Sequence, residues 1–100
     1  MRKPRPHATR FEFKLFLAGA TPRSRRALEN VRRFCERELP GNYDLEVIDI
    51  YQQPALASGN QIFAAPTLLK THPLPLRRLI GDMSDERKVR ANLGLQSYGA

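Results

Sequence analysis

Few side chains in this 100-residue sequence could carry out chemistry: one cysteine, two histidines and ten carboxylates. A redox thiolate needs a lowered pKa, usually at a helix N-terminus with a second cysteine nearby. The turn before the first expected helix reads Ala20-Thr21-Pro22-Arg23-Ser24 and holds no sulfur. Cys35 falls instead on an apolar helical stripe and is expected to act as a small core hydrophobe. His7 lies in an N-terminal arm and His72 in a proline-containing turn, with no partner at ligand spacing, so no metal site is expected. Asp82, Asp85 and Glu86 gather at a helix start, where capping accounts for them. There is no phosphate loop, nucleophile elbow or Ser-His-Asp set, and the chain is expected to be a non-enzyme without a cofactor.

The other conspicuous group is the arginines. Seventeen Lys+Arg against ten Asp+Glu give a formal charge of +7. Arg2, Lys3, Arg5 and Arg10 form a basic arm over 1–10, which Pro4 and Pro6 keep extended. Arg23, Arg25, Arg26, Arg32, Arg33 and Arg37 lie along the first helix. Charge alone is not a reading module. Phe11, Phe13 and Phe16 fall on both faces of one strand and cannot all form a stacking platform, so nucleic acid is not an expected partner. No run of 18 apolar residues could cross a membrane, and the basic N-terminus lacks the apolar region of a secretory signal. Cytoplasm is the expected address.

These residues must be positioned by a small set of elements. Phe11 to Ala18 alternates apolar with polar and then turns wholly apolar, as a strand buried first on one face and then on both. Thr21-Pro22 reads as an N-cap with proline at the first helical position. Ala27, Leu28, Val31, Phe34, Cys35 and Leu39 recur at helical spacing, which predicts a helix over about 22–38. Leu45 to Tyr51 is a second strand, parallel to the first across the helical crossover. Gln52 to Phe63 is uncommitted: Pro54 could open a helix, but Ser58, Gly59 and Asn60 sit inside it. Ala65 to Lys70 and Leu76 to Ile80 read as a strand pair joined by the turn Thr71-His72-Pro73-Leu74-Pro75. Ser84-Asp85-Glu86 then reads as an N-cap with two acids opening a short last helix, and 96–100 is a short tail.

The order β-α-β-(α)-β-β-α is an α/β, thioredoxin-like single domain over 11–95, with Pro66 where that fold usually carries a cis-proline. Fold alone assigns no activity.

Particular stretches carry a closer resemblance. Leu17-Ala18-Gly19-Ala20-Thr21-Pro22 with Ser24 and Arg26-Ala27-Leu28 is the first, followed by Val47-Ile48-Asp49-Ile50 and Ala65-Pro66-Thr67-Leu68. The most specific is Arg77-Arg78-Leu79-Ile80-Gly81-Asp82-Met83-Ser84-Asp85. Together they resemble the KaiB family of the bacterial circadian clock. The sensor domain of the clock kinase SasA shares the proline strand start but lacks that last segment. The resemblance implies a partner-binding protein that takes the ring ATPase KaiC and has no cofactor. It also implies two folds: a thioredoxin-like form that binds KaiC, and a ground-state form, often tetrameric, with the second half of the chain rearranged. Two such packings must lie within a few kcal/mol.

On that resemblance, the KaiC-type contact is expected at Arg26, Gln52, Pro54, Leu56, Gln61 and Ile62, and the balance between folds at Pro66, Asn92 and Gly94. The sequence departs from the family pattern near the last helix, where Asn92-Leu93-Gly94 stands for Gly-Leu-Asp, and in lacking an acidic tail. It departs also at two stretches that bear on partners. Asp44 and Glu46 stand where the family has a small residue and a lysine at the edge that captures KaiA, which argues against KaiA capture. Ser58, Gly59, Asn60 and Gln61 replace an acidic run and a lysine in the KaiC-facing segment. The reading is therefore an adaptor for a KaiC-type ATPase in a circadian, timer or stress-response system, homo-oligomeric as a dimer or tetramer. The alternative is a redox-inactive docking module of a histidine-kinase pathway.

Overall fold

The computed structural model describes residues 10–94. The arm before Arg10 and the tail after Gly94 lie outside the described residues. The elements are β1 (Phe11–Leu17), α1 (Pro22–Glu38), β2 (Tyr43–Asp49), α2 (Pro54–Gly59), β3 (Thr67–His72), β4 (Arg77–Ile80) and α3 (Glu86–Asn92). The sheet order is β2-β1-β3-β4. β1 pairs parallel with β2 and antiparallel with β3, which pairs antiparallel with β4. This is the expected thioredoxin-like arrangement, with β2 and β4 as its edges.

The two-residue period of β1 divides the core between two faces. Phe13, Leu15 and Leu17 face α1 and α3, packing with Ala27, Val31, Phe34, Cys35, Val89 and Leu93. Phe16 points the other way, onto Ile48 and Leu69, under Ile50, Leu56 and Ile62. Phe13 and Phe16 are buried and Phe11 stacks on Phe13 at 5.9 Å, so these rings form no open platform.

α1 forms as its pattern dictates. Thr21 caps it by accepting from the Ser24 N–H at 3.0 Å, and Pro22 opens it. Cys35 is fully buried, and loss of hydration, with a smaller effect of Glu36, pushes its thiol up to about 12. Such a thiol is not a nucleophile at neutral pH.

Three expectations at element ends are corrected. β2 begins at Tyr43 and ends at Asp49, two residues earlier than its β-branched run suggests, because register with β1 sets its limits. β3 runs from Thr67 to His72, since Thr71 and His72 continue the strand instead of turning. The cap of α3 is Asp85, not Ser84: Asp85 accepts from the Arg87 and Lys88 N–H groups, while the Ser84 N–H donates to Asp82.

The last turn of α1 is tied to α3 by charge. Glu38 accepts from Arg90 at 2.7 Å and from Arg37 at 3.0 Å, and Arg37 also reaches Glu86 at 2.7 Å. The Arg90 bond, then the Arg37 bond, hold the Glu38 carboxyl at about 2, against an ordinary 4.5. Its stabilisation is therefore complete above about 4.5 and disappears as the pH falls through about 2. Because the site is partly hydrated, we expect this to amount to about 1 kcal/mol. Urea unfolding of Glu38→Gln should show that loss at pH 7 and almost none at pH 2. A wild-type-like profile across that range would show that the bridge is energetically silent.

Candidate functional site

The registers Phe16↔Ile48, Phe16↔Thr67 and Thr67↔Ile80 bring four strand ends to one end of the sheet. The ends of β1, β2 and β4, the start of β3 and the start of α1 all meet there. The loop that carries Gln52 leaves from this end, Arg26 lies in the second turn of α1, which starts there, and a few polar links hold the end together.

Asp49, at the end of β2, is one link: its Oδ1 accepts from the Tyr51 N–H at 2.9 Å and the Gly19 N–H at 3.3 Å. It thus joins the loop after β1 to the loop after β2. Gly19 has φ of +72°, a conformation that favours glycine, and the Tyr51 ring lies against its open side. Asp82 is a second link. Arg26 approaches its carboxylate at 3.8 Å, and Asn30 donates to its carbonyl at 2.9 Å, joining α1 to the loop after β4. Its hydrogen bonds with Ser84 come first in holding the Asp82 carboxyl below its ordinary range, with Arg26 adding charge.

The segment left uncommitted by sequence is a helix, α2, with Gly59 as its last residue. No side chain caps its start. Its end is closed by a double backbone bond: the Ile62 N–H donates to Ala57 at 2.9 Å and the Gln61 N–H to Ser58 at 3.1 Å. That Schellman arrangement needs a left-handed residue at Gln61, whose φ is +57°. Arg78 from β4 then donates to the Gln61 carbonyl at 2.6 Å, and buried Thr67 donates to the Ala64 carbonyl at 2.7 Å. Gln61→Gly should relieve the side-chain penalty and raise stability by about 1 kcal/mol. A lower melting temperature would show that the glutamine side chain matters more than its backbone.

Of the expected contact residues, Arg26, Gln52, Pro54 and Gln61 are exposed at this end or on α2. Leu56 and Ile62 are half-buried and pack inward on Phe16, Ile48 and Leu69. They hold α2 on the sheet, because an unclosed lower face needs their apolar surface. Sequence reasoning passed over Tyr51 and Phe63, which are 74% and 92% exposed. An apolar residue in a loop carries no sequence signal of which way it faces.

Asp44 and Glu46 lie on the edge strand β2. Arg10 clamps Asp44 through two bonds of 2.7 and 2.9 Å and also donates to the Gly41 and Tyr43 carbonyls. Glu46 sits 3.5 Å from Lys14. Both acids are thus engaged within the chain. Pro66, buried at the start of β3, follows a cis peptide bond. Asn92 donates to the Lys88 carbonyl at 2.8 Å, and Gly94, with φ of +73°, closes the end of α3 by donating to Ala91. Among the described residues no group of three or more His, Cys, Asp or Glu side chains could hold a metal ion, and no helix is long and apolar enough to cross a membrane.

The KaiB domain family model matches residues 14–95. The circadian clock oscillator protein KaiB of Prochlorococcus marinus is 51% identical over 82 residues, spanning 82% of this chain and 78% of the relative. That of Synechococcus elongatus is 50% identical, spanning 82% and 80%. Among solved structures, the N-terminal domain of Synechococcus elongatus SasA superposes with a TM-score of 0.72 at 24% identity, covering 100% of this chain and 97% of that domain. Fasciola hepatica thioredoxin gives 0.68 at 19%, covering 85% and 79%. These two likenesses establish the thioredoxin-like fold. The sequence relatives are named as clock oscillator proteins, not enzymes, and on their identity and the family match this chain belongs to the KaiB family of non-catalytic circadian clock proteins.

Proposed function

We propose that this protein is an adaptor that binds a KaiC-type ring ATPase in a circadian, timer or stress-response system of the cytoplasm, and that it works without KaiA. The observation that carries this reading is the end of the sheet just described. There Gln52, Pro54 and Gln61 stand exposed on or beside α2, while Arg26 is tied to the same end through Asp82. Nothing catalytic competes for that surface: the cysteine is buried with a raised pKa. Dispensing with KaiA follows from the β2 edge, where Arg10 and Lys14 already occupy Asp44 and Glu46. An incoming strand would have to displace the Arg10 clamp from the Tyr43 carbonyl.

Size-exclusion chromatography with light scattering, with and without the KaiC-type ATPase of the same organism and ATP, tests the reading. A co-eluting complex that appears slowly is expected, because the binding form is then selected from an equilibrium with a dimer or tetramer of the other fold. An unchanged profile after long incubation at several temperatures would reject it. A second reading, a docking module in a histidine-kinase pathway, is favoured by the likeness of the whole chain to the SasA domain. It predicts binding to a kinase and indifference to the ATPase.

A further inference from the structure

The chain has 27% charged residues, yet from Ile50 to Leu69 it has none. The fold turns this uncharged stretch into α2, the loops on either side of it and the first half of β3. Its inner side chains cover Phe16, Ile48 and Leu69. Its outer surface presents Tyr51 and Phe63, the two most exposed aromatic rings among the described residues. Tyr51 follows the end of β2 and Phe63 precedes β3, strands that lie two spacings, about 10 Å, apart across the sheet.

Both rings stand on backbone that is held. The Tyr51 N–H is bonded to Asp49, and its ring lies beside Gly19. Phe63 is flanked by Ile62, which is packed against the core, and by Ala64, whose carbonyl is bonded to the buried Thr67. An anchor presented on a fixed backbone loses little freedom on binding, which is where large aromatic contributions to interfaces come from.

We infer that Tyr51 and Phe63 are the anchors of partner docking, and that the partner surface they enter is apolar and uncharged. This rests on the adaptor reading above. A carboxylate or amine brought against this stretch would lose its hydration and meet no opposite charge from the stretch itself. The charges beside it, Asp49 and Arg78, are already bonded to its backbone. Charge complementarity thus selects a neutral patch here. The exposed guanidinium groups of Arg25, Arg32 and Arg33 on α1 steer approach without being buried by it.

The probe is the KaiC-type ATPase of the same organism, loaded with ATP, titrated against the full chain. Phe63→Ala should weaken binding about tenfold or more and Tyr51→Ala several-fold, while Phe63→Leu retains most of the affinity. Melting temperatures should not move for Phe63→Ala, because that ring contributes almost nothing to the fold at its exposure. Equilibrium affinity should change less than about threefold between 0.05 and 0.5 M salt, since few ion pairs form. An undiminished affinity of Phe63→Ala, or a steep salt dependence, overturns the inference and leaves the adaptor reading standing. Self-association lost in Phe63→Ala while ATPase binding persists would assign the rings to a second copy of the chain and also overturn it. Absence of any wild-type complex rejects both.

Discussion

Phe16→Ala lowers the unfolding free energy by about 3–5 kcal/mol and releases α2 before the rest of the sheet opens. Phe16 is fully buried, in a small cluster with Ile48 and Leu69 on its face of the sheet. Ile50, Leu56 and Ile62 close over this small cluster, and α2 has no side-chain cap at its start. A helix of six residues does not persist without a packed face. Removing the ring therefore subtracts the transfer energy of a phenyl group and leaves a cavity beneath the short helix that packs on it. Urea unfolding should show the drop. Hydrogen exchange should show the amides of Asn60, Gln61 and Ile62, which donate at the end of α2, exchanging faster than those of β1 and β3. Uniform acceleration across the chain would mean that α2 is held by the whole domain and not by Phe16. The variant also connects packing to function, because the exposed Phe63 follows directly on the segment that Phe16 secures.

The physical reasons for what could be read from sequence are visible in this contrast. α1 was legible because its cap, its proline and its apolar spacing all agree, and β1 because its alternation becomes continuous where both faces are covered. α2 was not legible, because its stability comes from tertiary contact: Gly59 and Asn60 disfavour it locally, while Leu56 and Ile62 secure it from the sheet side. The same fact explains the partial reading of the site. Gln52, Pro54 and Gln61 are polar or turn-forming and sit where the topology places loops. Leu56 and Ile62 are expected at the contact on the family resemblance, and without α2 nothing in the sequence shows that a face lies beneath them. The edge acids Asp44 and Glu46 were legible as a departure, but not their partners: Arg10 is 34 residues away from Asp44 in the chain, and only the parallel β1–β2 register brings the two together. Tyr51 and Phe63 were missed for the converse reason, since large apolar residues are by default assigned inward.

Leu15→Ala, one residue from Phe16, should cost a comparable amount, about 2–5 kcal/mol, with the opposite spatial signature. Leu15 is fully buried and faces the other half of the core, among residues from α1 and α3. Its strand neighbours are Val47 on one side and Leu68 on the other, so the cavity opens at the centre of the sheet. For a domain whose total stability is on the order of 5–15 kcal/mol, either substitution removes a large fraction. The difference lies in what opens first. Loss of Leu15 weakens the packing of α1, at Val31 and Phe34, and of α3, at Val89, and leaves the Phe16 cluster intact. Binding by the fraction that remains folded should then match wild type in Leu15→Ala and fall in Phe16→Ala. Equal binding losses at equal residual stability would show that partner docking reads global stability alone. A loss confined to Phe16→Ala would locate the binding surface on the α2 face, because the two buried side chains occupy opposite sides of one strand.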